Sequence, residues 1–285
     1  MDKKQKTIVE VTVIGKDKEG VVAEITNFIF RNNGNIEQIN QNVIRGLFGM
    51  QLEASFRRVN KEQLYSGLKD LAFKLGMDLK IHFEEPDRPR NVAILVSKEQ
   101  HCLAKLLDAK RSLKINAKIV VVIGSEKTLE YLANKFEVPF YHISHSDQVA
   151  AESEILRVFE QYNVDLIVLG RYMRILTPNF VWRYRNRIIN IHPSLLPAFP
   201  GAYAYVQAYE RGARIVGCTA HFVTEDLDQG PIICQDSFQV SSNDTIETIR
   251  KRGQRLEANT LFQAVKLCLE GKLEVNWGRV YIKKN

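Results

Sequence analysis

The chain has 285 residues, 45% of them hydrophobic and 26% charged, with a formal net charge of +7. That length suits two domains, and the composition lets each bury a core without disulfide staples. The four cysteines, Cys102, Cys218, Cys234 and Cys268, lie far apart with no C-x-x-C pair, which argues against a disulfide scaffold or a zinc knuckle and for reduced thiols in a cytoplasm. Met1 to Lys6 is charged and carries no signal-type apolar stretch, and the strongest apolar run, Ile119 to Ile123, is far too short for a bilayer. No membrane association is expected. Lys and Arg are spread along the chain apart from Arg250-Lys251-Arg252 and Lys283-Lys284, with no basic–aromatic motif of the RNA-recognition type. The basic balance therefore reads as a solvated surface or a site for a small anionic molecule, with no nucleic-acid partner.

The first segment reads β-α-β-β-α-β, a ferredoxin-like order. Thr7 to Ile14 alternates and is rich in β-branched residues. Gly20 to Arg31 places Val21, Ile25, Phe28 and Ile29 at helical spacing, and Asn33-Gly34-Asn35 stops that helix. Ile36 to Val43 and Gly49 to Phe56 read as paired strands around Arg45-Gly46. Leu64 to Leu75 returns to helical period, Gly76 ends it, and Leu79 to Phe83 makes a last strand. The run Glu84-Glu85-Pro86-Asp87-Arg88-Pro89-Arg90 is charged, carries two prolines and has no apolar residue, so the domains are expected at 1–84 and 91–285 with a linker at 85–90.

Beyond the linker, strands and helices alternate. Val92 to Val96, Ile119 to Ile123, Phe140 to Ile143 and Leu166 to Leu169 are the strands, the continuous apolar ones being of the kind buried on both faces of a parallel sheet. Leu103 to Leu107, Lys127 to Phe136 and Glu152 to Tyr162 are helical. Ile188 to Ile233 reads as further strands with one helix at Ala204 to Glu210, then a helix over Thr245 to Leu269 and a hairpin over Leu273 to Ile282. The expected architecture is an open, doubly wound α/β sheet.

The residues with chemistry in them cluster in two segments. In Asn190-Ile-His192-Pro-Ser194, two polar side chains two apart point to one face at the carboxyl end of a buried strand, where open α/β sheets bind ligands. The bland alternative is that both satisfy backbone groups of the next turn, and spacing alone divides the two about evenly. In His221-Phe-Val-Thr224-Glu225-Asp226-Leu227-Asp228-Gln-Gly230, a strand gives way to an acidic turn in which Gly230 permits unusual backbone geometry. An acidic turn is commonly only solvated. Paired with the first segment it completes a kit for attack on a carbonyl: a His to move the proton, an Asp to orient it and an Asn amide for the oxyanion.

Asn190-Ile-His192-Pro-Ser-Leu-Leu-Pro followed by Thr224-Glu-Asp-Leu-Asp228-Gln-Gly-Pro-Ile resembles the signature of the folate-dependent formyltransferase family. Arg171-Tyr-Met173-Arg-Ile175-Leu176 is similar to the family's folate-lining stretch, and the first domain resembles an ACT domain. The resemblance covers Asn91 to the C-terminus and implies Asn190, His192 and Asp228 as catalytic residues. It further implies Arg171, Met173, Ile175, Leu176, Glu225, Leu227 and Gly230 around the folate, with His101, Ser194 and His221 in support.

Within the family, Ser97-Lys-Glu-Gln-His101-Cys102-Leu103 and the run from Gln207 to His221 resemble the deformylase branch, whose members release formate and carry an ACT domain in front. Sister enzymes that formylate glycinamide ribonucleotide carry a glycine-rich turn after the first strand, and Ser97 to Leu103 has no glycine. Other positions depart from the deformylases: Pro193 stands where they carry a second histidine, Pro200 where they carry a lysine, and Ala202 to Tyr205 differs. The resemblance thus implies hydrolysis of 10-formyltetrahydrofolate to formate and tetrahydrofolate, without a metal or other cofactor. Two alternatives stay open, formyl transfer to an amine such as glycinamide ribonucleotide and a folate- or amino-acid-binding regulator without catalysis. The ACT-like loop Lys16 to Gly20 implies an amino-acid effector and assembly into a homo-oligomer, a dimer or tetramer. His142, His145 and Asp147 lack the spacing of a helical zinc motif and read as a polar strand-to-loop segment. Adjacent on a helix, His101 and Cys102 are expected to point apart.

Overall fold

The computed structural model describes residues 6–85, 88–112, 117–201 and 203–283. Pro86 and Asp87 of the linker, Ala202 of the loop before Tyr205, and Lys284 lie outside the described residues. Two compact units result: 1–87 together with Thr177–Arg183, and the remainder, Arg88–Leu176 with Tyr184–Asn285.

In the first unit the elements are β1 (Thr7–Lys16), α1 (Val21–Arg31), β2 (Gly34–Ile44), β3 (Leu47–Phe56), α2 (Lys61–Leu75) and β4 (Met77–Phe83). They form an antiparallel sheet in the order β2-β3-β1-β4. Arg45 and Gly46 are the two residues of the β2–β3 hairpin, both at positive φ, which matches the twist of the flanking strands. The helix stop is tighter than the sequence indicates. Asn33 alone takes the left-handed conformation, and β2 starts at Gly34, against whose Cα the Phe56 ring packs too closely for a Cβ. Alternating Val9, Val11 and Val13 meet Val21, Ile25 and Ile29 of α1 and Leu64, Leu68 and Ala72 of α2 in one core. Asn60 caps α2 through the Gln63 amide at 3.1 Å, and Gly76 ends it at positive φ.

The second unit is built on β5 (Arg90–Val96), α3 (His101–Ser112), β6 (Ala117–Gly124), α4 (Glu130–Lys135), β7 (Phe140–His142), α5 (Gln148–Gln161) and β8 (Leu166–Gly170). After α6 (Pro178–Arg183) come β9 (Ile188–His192), α7 (Ala204–Glu210), β10 (Ile215–Phe222), β11 (Ile232–Gln239), α8 (Ile246–Leu269), β12 (Leu273–Asn276) and β13 (Arg279–Ile282). Seven strands lie in the order β11-β10-β9-β8-β5-β6-β7. The strands from β9 to β7 in that order run parallel, while β10 is antiparallel to both its neighbours. β8 is buried along its whole length, as its unbroken apolar run requires.

The order in which strands are added reverses between β5 and β8, which pair in parallel as far as Val96 and Gly170. That switch point, where open α/β sheets bind ligands, lies between Ser97 to His101 after β5 and Arg171 to Leu176 after β8. The sequence pattern missed α6, a six-residue helix begun by Pro178, which belongs to the same compact unit as residues 1–87. Its length is too short for periodicity to register. Among the described residues, no helix is long and apolar enough to cross a membrane, and all four cysteines are free.

Candidate functional site

A cleft of about 250 Å³ lies at the carboxyl end of β8 and β9. One wall is the stretch Arg171 to Leu176, an irregular segment whose backbone and side chains are tied down at several points. The Met173 amide donates to Ser97 Oγ at 3.0 Å. Tyr172 Oη meets His145 Nε2 at 2.5 Å, and Gln148 Nε2 donates to the Ile175 carbonyl at 2.7 Å. Burial pushes the Tyr172 hydroxyl far above its ordinary pKa, so it stays a donor. His145 Nδ1 donates to the Ile143 carbonyl at 3.0 Å, which leaves the lone pair of Nε2 to accept from Tyr172. His145 therefore serves the wall and Asp147 the cap of α5, where it accepts from the Ala150 amide, while His142 stands exposed at the end of β7. So held, Met173 and Ile175 can stand exposed in the cleft without collapsing into the core.

The opposite wall is the turn after β10, Val223 to Asp228. The Val223 amide bonds the Ile188 carbonyl and the Phe222 amide bonds the Pro231 carbonyl, both at 2.9 Å, which fixes the turn's two ends. Asp228 takes the left-handed conformation at φ 58°. Gly230 does not lie at positive φ. It is required because a Cβ there would stand 1.7 Å from the Phe222 carbonyl oxygen. Gly230 lies outside the cleft lining, within the backbone of the turn.

At the floor, β9 presents Asn190 to the cleft and brings His192 to Asp228. His192 Nδ1 is 3.3 Å from Asp228 Oδ2, and Nε2 is 3.0 Å from the Phe199 carbonyl, so both ring nitrogens face oxygen acceptors. Asp228 Oδ2 also accepts from the Gly201 amide at 2.9 Å. Burial would raise the Asp228 pKa, but the His192 hydrogen bond and the Gly201 N–H outweigh it, and the carboxyl is held below its ordinary value.

His221 enters the site through Asn190. Its Nδ1 donates to the Phe222 carbonyl at 2.9 Å, which leaves Nε2 to accept from Asn190 Nδ2 at 3.3 Å. Asp228 Oδ1 is 4.0 Å away. Burial lowers the His221 pKa, consistent with a neutral acceptor that orients the Asn190 amide and leaves its second N–H for the cleft.

The sequence candidates otherwise divide. Arg171, Met173, Ile175, Leu176, Glu225 and Leu227 line the cleft. Ser194 does not: its Oγ closes on the Ala198 carbonyl at 2.5 Å, and its own carbonyl accepts from Thr219 Oγ1, shaping the loop after β9. His101 is also away from the cleft. Its Nε2 lies 3.1 Å from Glu257 Oε2, to which Arg171 Nε is also close at 3.4 Å, while Tyr205 Oη donates to Oε1 at 2.6 Å.

Contrary to the expectation for neighbours on a helix, His101 and Cys102 both have a ligand-type atom within 4.8 Å of Glu257 and of each other. The chemistry there is that of an internal ion network rather than a cation site. Glu257 is already met by a guanidinium and two further donors, and burial drives the Cys102 thiol well above its ordinary pKa. Glu257, Tyr205 and Gly201 were missed from sequence. For Glu257 a signal existed: Ile249, Gly253, Glu257 and Leu261 recur every four residues, so an acid interrupts the apolar stripe of α8.

Comparison with known proteins places the chain in a family. The formyl transferase family model matches residues 90–265 and an ACT domain model matches residues 7–82. The formyltetrahydrofolate deformylase of Bacillus subtilis (strain 168) is 37% identical over 273 residues, 93% of this chain and 90% of that protein. The Escherichia coli (strain K12) protein of the same name is 39% identical over 272 residues, 93% and 95% of the two chains. Among solved structures, a formyltetrahydrofolate deformylase from Pseudomonas syringae pv. tomato aligns with a TM-score of 0.68 at 30% identity, covering 99% of this chain and 96% of that one. Glycinamide ribonucleotide transformylase 1 from Symbiobacterium toebii aligns at 0.66 and 35% identity but covers only 71% of this chain, against 97% of its own. A match that runs through both domains at this identity has one meaning: the chain belongs to the formyltetrahydrofolate deformylase family.

Proposed function

We propose that the protein hydrolyses 10-formyltetrahydrofolate to formate and tetrahydrofolate, with Asn190, His192 and Asp228 as the catalytic residues. The observation that carries this reading is Asn190 and Asp228 in the lining of a cleft with a pinned, apolar wall, with the buried His192 ring held 3.3 Å from Asp228 behind that lining. The folate ring system lies between Arg171 to Leu176 and Glu225 to Asp228. Water placed by Asp228 attacks the formyl carbon and gives up a proton to the carboxylate as the C–O bond forms. The Asn190 N–H and the protonated His192 ring stabilise the tetrahedral oxyanion. The C–N10 bond then breaks, N10 takes a proton from His192, and Asp228 returns one to the ring. Products are formate and tetrahydrofolate, and this chemistry calls on no resident metal or redox cofactor.

The same reading puts the protein in the cytoplasm, supplying formate to one-carbon and purine metabolism. Its ACT domain takes an amino-acid effector at Lys16 to Gly20, and the chains assemble as a homo-oligomer, a dimer or tetramer. The test is formate release from 10-formyltetrahydrofolate by purified protein, with and without glycinamide ribonucleotide. Acceptor-independent release that disappears in His192→Ala supports the reading. Turnover that requires the amine and yields no free formate overturns it.

A further inference from the structure

Glu257 lies on the buried stripe of α8 and is 1% exposed. Burial alone would raise its pKa, but the His101 hydrogen bond, the Arg171 charge and the Tyr205 hydroxyl together hold it below the ordinary value. A buried ionised carboxylate persists only where it is paired and hydrogen-bonded, and the three partners here come from three separate elements. His101 opens α3, Arg171 follows β8, and Tyr205 lies in the first turn of α7. Room has been made for the last of them. A Cβ on Gly253, one turn before Glu257, would stand 2.2 Å from Tyr205 Oη.

Two of the partners lead to the cleft. Arg171 is its first wall residue, and it sits at φ 63°, a left-handed conformation that a non-glycine residue holds only when its surroundings fix it. Tyr205 stands at the far root of the loop that follows β9. That loop delivers the Phe199 carbonyl to His192 Nε2 and the Gly201 amide to Asp228 Oδ2. Its near root is fastened separately, by the Leu196 amide donating to Thr219 Oγ1 at 3.0 Å and by Gln235 Nε2 on the same hydroxyl at 2.8 Å. Tyr205 and Glu257 fasten the other end.

We propose that Glu257 is a positioning residue, fixing Arg171 in the cleft wall and, through Tyr205, the loop whose Gly201 and Phe199 set the geometry of Asp228 and His192. This rests on the deformylase reading, and it separates Glu257 from an acid kept only for the stability of α8.

The variant that isolates the idea is Tyr205→Phe, which keeps the ring and removes only the hydroxyl. With the loop's root released, kcat is expected to fall by about tenfold or more, as for other small misplacements near reacting groups, while KM stays within about twofold. The acid limb of kcat/KM should move to higher pH, because Asp228 loses part of the Gly201 donation that helps lower its pKa. Glu257→Gln, which also frees Arg171, should lower kcat and raise KM together. If Tyr205→Phe does not fold, Gly253→Ala displaces the same hydroxyl by its new Cβ and is expected to reproduce the kcat loss. ¹⁵N resonances of the His192 ring provide a readout without turnover and should shift in Tyr205→Phe. A folded Tyr205→Phe with wild-type kcat, acid limb and His192 resonances overturns the proposal, as does a loss confined to KM. Should the wild type release no formate, the deformylase reading fails, and the resonances still decide whether Tyr205 governs His192.

Discussion

Replacing Asn190 by alanine removes one N–H from the reacting centre and very little else. Asn190 Nδ2 spends one hydrogen on His221 Nε2 at 3.3 Å and directs the other to the cleft. If that second hydrogen meets the oxyanion, its loss costs about 3–4 kcal/mol of transition-state stabilisation, or roughly 10²–10³ in kcat. Because the charge develops only during reaction, KM should scarcely change. The stability cost is smaller, about 1–3 kcal/mol, since His221 Nε2 is left without its donor in a buried setting. The assay is steady-state formate release at several substrate concentrations, read beside a denaturant melt. His221→Phe should also lower kcat, by less, because it leaves the amide present but unaimed. If His221 acts through Asn190 alone, the double variant should be no slower than Asn190→Ala, giving a coupling equal to the whole His221 effect. A kcat within threefold of wild type in a folded Asn190→Ala, or a loss carried entirely by KM, would refute the oxyanion assignment. Additive losses would refute the assignment of His221 as the amide's orienter.

Two further predictions concern the turn and its titration. Gly230→Ala places a Cβ 1.7 Å from the Phe222 carbonyl oxygen, a backbone atom that cannot swing aside, so unfolding free energy should drop by about 1–3 kcal/mol, and a denaturant midpoint equal to wild type would contradict the close approach. His221 has a folded-state pKa lowered by burial from an ordinary value of 6.5. Above that value both states are neutral and nothing is lost. Below it the unfolded chain binds the proton first, and stability should fall by about 1.4 kcal/mol per pH unit until the folded ring also protonates. His145 is lowered in the same direction and adds to the slope, so the measurement is the difference in thermal midpoint between wild type and His221→Gln from pH 7.5 to 5.5. Equal slopes in the two proteins would remove His221 as a buried neutral ring.

Much of the fold was legible because its signals are local. Alternating Val9, Val11 and Val13 and the unbroken run of β8 each state a burial pattern that only a strand of one kind satisfies. Arg45-Gly46 and Gly76 announce turns because their backbone conformations are ones that few sequences tolerate. Short α6 gave no such signal, and its residues cluster with the first unit for reasons that lie in contacts far along the chain.

At the site, residue type and spacing singled out the two short motifs carrying Asn190, His192 and Asp228 without deciding their role, and the wall from Arg171 to Leu176 came from the resemblance to the formyltransferase family. What joins them could not. Gly230 drew attention as a flexible residue, whereas tertiary structure made it the point where Phe222 comes too close for any side chain, and gave the left-handed backbone to Asp228 instead. His221 turned to Asn190 because its other nitrogen was claimed by a carbonyl next in sequence. Glu257 depends for its meaning on partners 52 to 156 residues distant. Sequence by itself determined where the chemistry-bearing side chains lie and which of the longer segments would be strands or helices, since both follow from side-chain type and short-range period. Only the tertiary structure decided which donor meets which acceptor, because a hydrogen bond forms within about 3 Å of space whatever the separation along the chain.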